Sequence, residues 1–127
     1  MPIKMMVMVK RRPDLTPEQF RAGYENSHAP MAVKLFGHLW LEYRRNYLRT
    51  GRHFGQEAGG PFGPDVIGYD ALSEFVVPDE AALAEMGRIA AEHREMIHED
   101  EKRWFDRRLC WSVAVETIEE DLAARRR

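Results

Sequence analysis

The residues best suited to chemistry lie at positions 24–30, where a histidine stands two residues before a proline. Proline disfavours the α conformation in the residue before it, so we expect a helix to break at Pro30, leaving His28 at its open end. A free imidazole has a pKa of about 6.5 and can exchange protons near neutral pH. Tyr24 lies one helical turn earlier on the same face. This pair is typical of acid–base catalysis, in which imidazole moves a proton and a phenol binds a developing oxyanion.

Each of these two residues also has a structural interpretation. His28 can cap or tether the end of the helix, and Tyr24 can be an ordinary core residue. If His28 is catalytic, His28→Ala is expected to cost no more than about 1 kcal/mol of stability. Turnover is then expected to fall about 100- to 10,000-fold. A structural His28 predicts the reverse, because the partner atom would be left unpaired.

The sequence offers little support for a metal site. His93 and His98 are five residues apart and lie on different faces of a helix. Glu95 and His98 do share a face, but one such pair without a second does not make a carboxylate-bridged metal centre. No phosphate-binding glycine motif is present. We therefore predict neither a metal nor another cofactor.

Composition limits the class of protein. Hydrophobic residues make up 44% of the chain, charged residues 31%, and the net charge is −2, as in a soluble globular protein. This balance argues against a general electrostatic attraction to nucleic acid or to a membrane surface. The single cysteine, Cys110, is expected to be a buried thiol, and the lack of any possible internal disulfide suits the cytoplasm. We expect one domain over residues 1–118, followed by a polar tail at 119–127.

Local patterns predict four strands and two helical segments. Strands are expected at residues 3–9, 41–49, 65–77 and 109–115. The first helix should begin after Thr16, because Thr16 is a good N-cap, Pro17 suits the first helical position and Gln19 completes a capping box. A second helix should follow the N-cap Asp79 and run, straight or broken, to residue 105. The order strand, helix, strand, strand, helix, strand predicts an α+β, ferredoxin-like βαββαβ fold.

The first and fourth predicted strands are apolar at nearly every position. Such strands are usually covered on both faces of the sheet. Helices of the same chain can cover one face of a four-stranded antiparallel sheet, and a second copy is expected to cover the other. The sequence therefore predicts a homodimer with a barrel-like core.

Further candidates for substrate binding lie on the second strand and in the loop after it. Asn46 and Tyr47 are neighbours on the strand and point to opposite faces, so at most one is expected in any given pocket. The loop at residues 50–64 contains five glycines and two prolines, and a loop of that length is often a binding loop. His53 and Phe62 are expected to fold from it over a pocket.

The sequence resembles the EthD family of dimeric α+β barrels over nearly its whole length. The most specific match is the first helix, with Leu-Thr-Pro-Glu-Gln-Phe at 15–20 and Ser-His-Ala-Pro at 27–30. The strand at 3–9 with Lys10 and Arg11, residues 43–47, residues 69–75 and residues 100–105 fit the rest of the family pattern. The family often has a histidine at the end of its second strand, where this chain has Tyr47.

The resemblance implies a ferredoxin-like homodimer with a small-molecule pocket between helices and sheet. Its implied activity is cofactor-independent dehydration, cyclisation or isomerisation of an aromatic, lactone or polyketide-like substrate. His28 matches the motif histidine, and Tyr24, Tyr47 and Asn46 would orient or polarise the substrate. Two alternatives remain open: a monooxygenase of the same fold, with or without haem, and a non-catalytic dimeric binding protein in which His28 is structural.

Overall fold

Four strands form one antiparallel sheet in a computed structural model that describes residues 1–126. The strands are β1 (Ile3–Val9), β2 (Glu42–Tyr47), β3 (Ala71–Val77) and β4 (Trp111–Val115). Their order across the sheet is β2-β3-β1-β4, and every neighbouring pair is antiparallel. The predicted ferredoxin-like α+β fold is confirmed, and β2 occupies the edge position that its charged residues indicated.

The longer helical segments lie between these strands in the chain and pack on one face of the sheet. The helical segments are α1 (Pro17–Gly23), a π-helical turn (Tyr24–His28), α2 (Ala29–Phe36), α3 (Pro64–Ile67), α4 (Glu80–Glu92), α5 (Arg94–Trp104) and α6 (Leu122–Arg125). Short 3₁₀ turns follow at Gly37–Leu39, Glu57–Gly59 and Arg107–Leu109. Phe20 and Tyr24 pack against Val9, Ala71 and Phe105 in the part of the core that supports the candidate site.

The first helix begins as its sequence predicts. Thr16 has an extended backbone, its hydroxyl accepts from the Gln19 backbone N–H, and the Gln19 side chain accepts from the Thr16 N–H. Pro17 occupies the first turn, where its missing N–H needs no partner. These contacts fix the start of the helical segment that carries His28.

The predicted helix break at Pro30 is wrong. Ala29 keeps helical backbone angles, with φ −63° and ψ −44°, and the chain passes through the π turn directly into α2. A π turn closes a wider ring, from the Ala29 N–H to the Tyr24 carbonyl, five residues earlier. The wider turn gives the proline ring room beside the preceding carbonyls, so the helix bulges instead of ending.

Several predicted boundaries also differ. The third strand begins at Ala71 instead of residue 65, because Pro64 starts a helical turn that ends at Gly68 with a left-handed φ of 101°. The fourth strand begins at Trp111, after a 3₁₀ turn at Arg107–Leu109. The second predicted helix starts after Asp79 as expected and is interrupted at His93. The polar tail contains one short helix, α6, and its last residue, 127, lies outside the described residues.

Candidate functional site

A histidine–aspartate pair joins the π turn to helix α5. The His28 Nδ1 atom lies 2.9 Å from Oδ2 of Asp100. The second carboxylate oxygen of Asp100 accepts a hydrogen bond from the Ser27 hydroxyl at 2.5 Å. Asp100 is only 8% exposed, so its carboxylate depends on these donors in place of water. The contact with Asp100 favours the tautomer of His28 that carries the proton on Nδ1.

The His28 ring forms part of a cleft between the helices and strands β1 and β4. The ring meets Phe105 edge-on at 4.8 Å and Tyr24 at 5.4 Å between centroids. The other ring nitrogen, Nε2, has no hydrogen-bond partner among residues 1–126. It is not one of the unpaired side-chain atoms that are fully buried, so it is accessible to solvent. His28 lines the cleft and Asp100 leaves Nε2 free, so an unprotonated Nε2 is the ring nitrogen that can accept a proton there.

The cleft has a volume of about 220 Å³ and a largely apolar wall. An ion pair between Arg107 and Glu101, with a 3.0 Å contact, also borders it. Burial raises the pKa of the Cys110 thiol above its usual range, which keeps this group neutral. The wall residues that matter for the chemistry come from β1, the π turn, the residue after α5, the residue before β4, and β4 itself: Val7, Val9, Tyr24, Phe105, Cys110 and Ser112.

Tyr24 lies beside His28, as its spacing predicts, but its hydroxyl is directed into the core. The residue is 2% exposed, and its hydroxyl is 2.8 Å from the hydroxyl of Ser73 on β3. Burial raises the pKa of Tyr24 above its ordinary value, and the Ser73 contact only partly offsets this effect. Tyr24 therefore offers the cleft its ring, and its phenol remains neutral.

Tyr47 belongs to a second polar cluster, which ties the π turn to the edge strand. Arg45 makes two hydrogen bonds to the Glu25 carboxylate, at 2.5 and 2.9 Å, and the Tyr47 hydroxyl donates to the same carboxylate. These donors, Arg45 first, lower the pKa of Glu25 below its ordinary value. Burial and the Glu25 carboxylate raise the pKa of Tyr47. The cluster holds Glu25 ionised against Arg45.

The remaining predicted binding residues lie away from the His28 cleft. Asn46 is exposed on the opposite face of the sheet, where its amide donates to the Leu72 carbonyl. His53 is exposed, with Nδ1 accepting from the Gly55 backbone, and Phe62 pairs through its backbone with Gly51. Among the loop residues whose side chains the structure describes, 50–56 and 58–64, none lines the cleft.

Asn46 and Tyr47 do meet at one place. Both border a shallow groove along the free edge of β2, together with Arg21 and Arg45. The expectation that at most one of them lines a given pocket fails there, because the groove passes over the strand edge and reaches side chains from both faces. This groove is separate from the cleft beside His28.

Sequence reasoning missed Asp100 and Ser27. Asp100 stands in an acidic run, residues 99–101, and nothing local says which of the three carboxylates turns inward. Helical spacing excludes only Glu99, because Asp100 and Glu101 both lie three or four residues from Ile97 and from Trp104 on the apolar stripe of α5. A carboxylate on such a stripe needs buried hydrogen-bond partners, and His28 and Ser27 supply them to Asp100.

Within residues 1–126, no group of three or more His, Cys, Asp or Glu side chains is arranged to hold a metal ion. No helix in that part of the chain has the length and apolar character needed to cross a membrane.

The fold is shared with several solved structures at low sequence identity. An EthD-like protein from Ralstonia eutropha has a TM-score of 0.61 at 18% identity, with 94% of this chain and 96% of that chain covered. An ethyl tert-butyl ether d (EthD) family protein from Bacillus halodurans has a TM-score of 0.58 at 19% identity, with 93% and 100% covered. A DABB family protein with a ferredoxin-like fold from Mesorhizobium loti has a TM-score of 0.51 at 10% identity, with 93% and 98% covered. No curated protein sequence matches this chain.

The sheet order and the helices on one face define a small ferredoxin-like α+β domain. A family model, described as the EthD domain, matches residues 12–108, which include the first helix, His28 and Asp100. The chain belongs to the EthD domain family.

Proposed function

We propose that this protein is a small enzyme in which His28 transfers a proton on an aromatic, lactone or polyketide-like substrate, as in dehydration, cyclisation or isomerisation. The observation that carries the proposal is the state of the His28 ring. Its Nδ1 is bound to the buried carboxylate of Asp100, and its Nε2 reaches an apolar cleft. A histidine with one nitrogen fixed by a carboxylate and the other free is arranged as a general base.

The proposed reaction begins when Nε2 removes a proton from a substrate carbon next to a carbonyl group. The C–H electron pair moves into the carbonyl to give an enolate, and the imidazolium that forms is stabilised by Asp100, 2.9 Å away. Ser112 supplies a hydroxyl at the cleft wall for the enolate oxygen. The proton then returns from Nε2, either to a leaving hydroxyl, which departs as water, or to another carbon.

The size of the cleft supports a small substrate. Its volume of about 220 Å³ is below the range of about 300–1,000 Å³ found for pockets that bind drug-sized ligands. The aromatic and aliphatic wall at Phe105, Val7 and Val9 favours a flat apolar molecule. Such a wall also strengthens electrostatic interactions at Nε2, since it excludes water.

The test uses a chromogenic reporter that requires only a base. Nitrobenzisoxazole loses one ring C–H proton to a base, its N–O bond breaks, and a coloured cyanophenolate forms. We expect the wild-type protein to accelerate this reaction and His28→Asn to lose about 100-fold or more of the acceleration. His53→Asn is the matched control, because His53 is an exposed histidine outside the cleft.

A wild-type protein no faster than the His28→Asn variant contradicts the proposal and favours a non-catalytic binding protein. A His53→Asn variant that loses as much rate as His28→Asn also contradicts it, because the activity would then not come from the cleft. Retained activity in His53→Asn with lost activity in His28→Asn supports it.

We also propose that the protein is a homodimer joined through the outer face of its sheet. The helices leave this face uncovered, and apolar residues meet across its strands: Met6 lies beside Val113, and Met8 beside Trp111. Trp111 is 61% exposed and Val113 38% in the single chain. A contiguous apolar patch of this kind is typical of a surface that binds a partner.

Light scattering at micromolar concentration tests this second proposal. We expect a dimer for the wild-type protein and a monomer for Met6→Asp, which places a charge in the patch beside Val113. Val33→Asp is the control, because Val33 is a half-exposed apolar residue on α2, away from that face. A wild-type protein that is monomeric and unfolds normally contradicts the dimer.

A further inference from the structure

The π turn directs two adjacent side chains to one carboxylate. Ser27 donates to Oδ1 of Asp100 at 2.5 Å, and His28 bonds to Oδ2 at 2.9 Å. In an α-helix, adjacent residues are separated by about 100° around the axis, so their side chains diverge. A π turn takes more residues to complete one revolution, so the angle between neighbours is smaller. The widened turn therefore brings Ser27 and His28 close enough to share Asp100.

The sequence gives a reason for the turn at this place. Pro30 is the second residue of α2, and only Ala29 separates it from the π turn. In a regular α-helix, its ring would clash with the carbonyl of Asn26, and its missing N–H would leave that carbonyl without an intrahelical donor. The observed bond from Ala29 N–H to Tyr24 O spans five residues and widens the helix immediately before Pro30.

Two contacts hold the turn from outside. On one side, Glu25 is bound by Arg45 of the edge strand. On the other side, the Trp104 indole packs so closely on Gly23 that a Cβ atom there would overlap the ring. The Trp104 Nε1–H also points to Asp100 Oδ1, at 3.4 Å. The turn is thus fixed between β2 and α5, with Asp100 on the α5 side.

We propose that Pro30 and Ser27 are positioning residues for His28, and this inference rests on the proposed function of His28. Pro30 forces the widened turn, and the turn directs Ser27 and His28 to the same carboxylate. Ser27 then fixes the rotation of the carboxylate by occupying Oδ1, which leaves Oδ2 for Nδ1 of His28. Neither residue lines the cleft.

The experiment measures the His28 tautomer and the reporter reaction on the same variants. Nitrogen NMR chemical shifts of the ring report the fraction of His28 that carries its proton on Nδ1. We expect Pro30→Ala to fold with unchanged or higher melting temperature, to lower this fraction and to slow nitrobenzisoxazole turnover by about 10- to 100-fold. Pro17→Ala is the matched control, since Pro17 also lies in a first helical turn but is remote from Asp100.

Ser27 variants keep the test decisive if Pro30→Ala does not fold. Ser27→Ala is expected to lower the Nδ1–H fraction, and Ser27→Thr, which keeps the hydroxyl, should restore it. If Pro30→Ala and Ser27→Ala both keep the wild-type fraction of His28 protonated on Nδ1, the proposal is overturned. If the tautomer responds but the wild-type protein has no reporter activity, the positioning role holds and the proposed function fails.

Discussion

Replacing His28 by alanine and by asparagine separates its structural contribution from its proposed chemical one. Alanine removes the whole ring, whereas an asparagine amide can place a donor near the position of Nδ1. His28→Asn therefore retains the hydrogen bond to Asp100 and loses only Nε2 and the ring contacts. We expect both variants to be inactive with nitrobenzisoxazole. Only the alanine variant should lose the stability that the hydrogen bond to Asp100 contributes.

The structure sets the size of the difference. A hydrogen bond to a charged group contributes about 1.5–3 kcal/mol to stability. Asp100 is only 8% exposed, so water has little access to take the place of His28 as a donor. The edge-on contacts of the ring with Phe105 and Tyr24 contribute about 0.5–1.5 kcal/mol each, and both substitutions lose them. His28→Ala should therefore be less stable than His28→Asn by about 1.5–3 kcal/mol. The sequence alone predicted a cost within about 1 kcal/mol for His28→Ala if His28 is catalytic, and a cost of about 1–3 kcal/mol if it is structural.

The measurement is urea unfolding of wild type, His28→Ala and His28→Asn, with reporter turnover on the same samples. Equal stability of the two variants would show that the bond to Asp100 contributes nothing. An asparagine variant that keeps full turnover would show that Nε2 is not the base. Either result refutes the reasoning from the ring geometry.

Two other predictions test the contacts that hold the π turn. Arg45 lowers the pKa of Glu25 in the folded protein. The ionised Glu25 carboxylate therefore contributes its full stabilisation above the pKa of the unfolded chain, about 4.3. This contribution is lost as the pH falls through the lower pKa of the folded protein. The stability difference between wild type and Glu25→Gln should therefore shrink on acidification in urea titrations; a pH-independent difference would contradict this. Gly23→Ala should cost about 1–3 kcal/mol because its Cβ would overlap the Trp104 ring. Gly87→Ala, whose Cβ meets nothing within 4 Å in helix α4, should instead stabilise by about 0.5–1 kcal/mol, and the opposite ranking in thermal melts would count against the packing.

The sequence by itself determined the features that depend on neighbouring residues. The capping box of Thr16 and Gln19, the N-cap Asp79 and the charged edge strand were all predicted and are confirmed. The order of strands and helices along the chain was enough to predict the ferredoxin-like topology. Few ways of connecting two helices and four strands are compatible with one buried sheet face. His28 became a candidate for the same reason, as part of a local Ser-His-Ala-Pro pattern.

Only the tertiary structure decided what His28 contacts. Asp100 is 72 residues away, and its inward direction depends on how α5 packs against the π turn. Local preference at Pro30 favoured a break, but the helix is continuous and widened. The packing of Trp104 on Gly23 and the hydrogen bonds that Arg45 donates to Glu25 accompany this widened turn. Tyr24 shares a helix face with His28 as predicted, yet Ser73 on β3 draws its hydroxyl into the core. Spacing along a helix fixes which residues share a face, and contacts with other elements fix the direction of each polar atom.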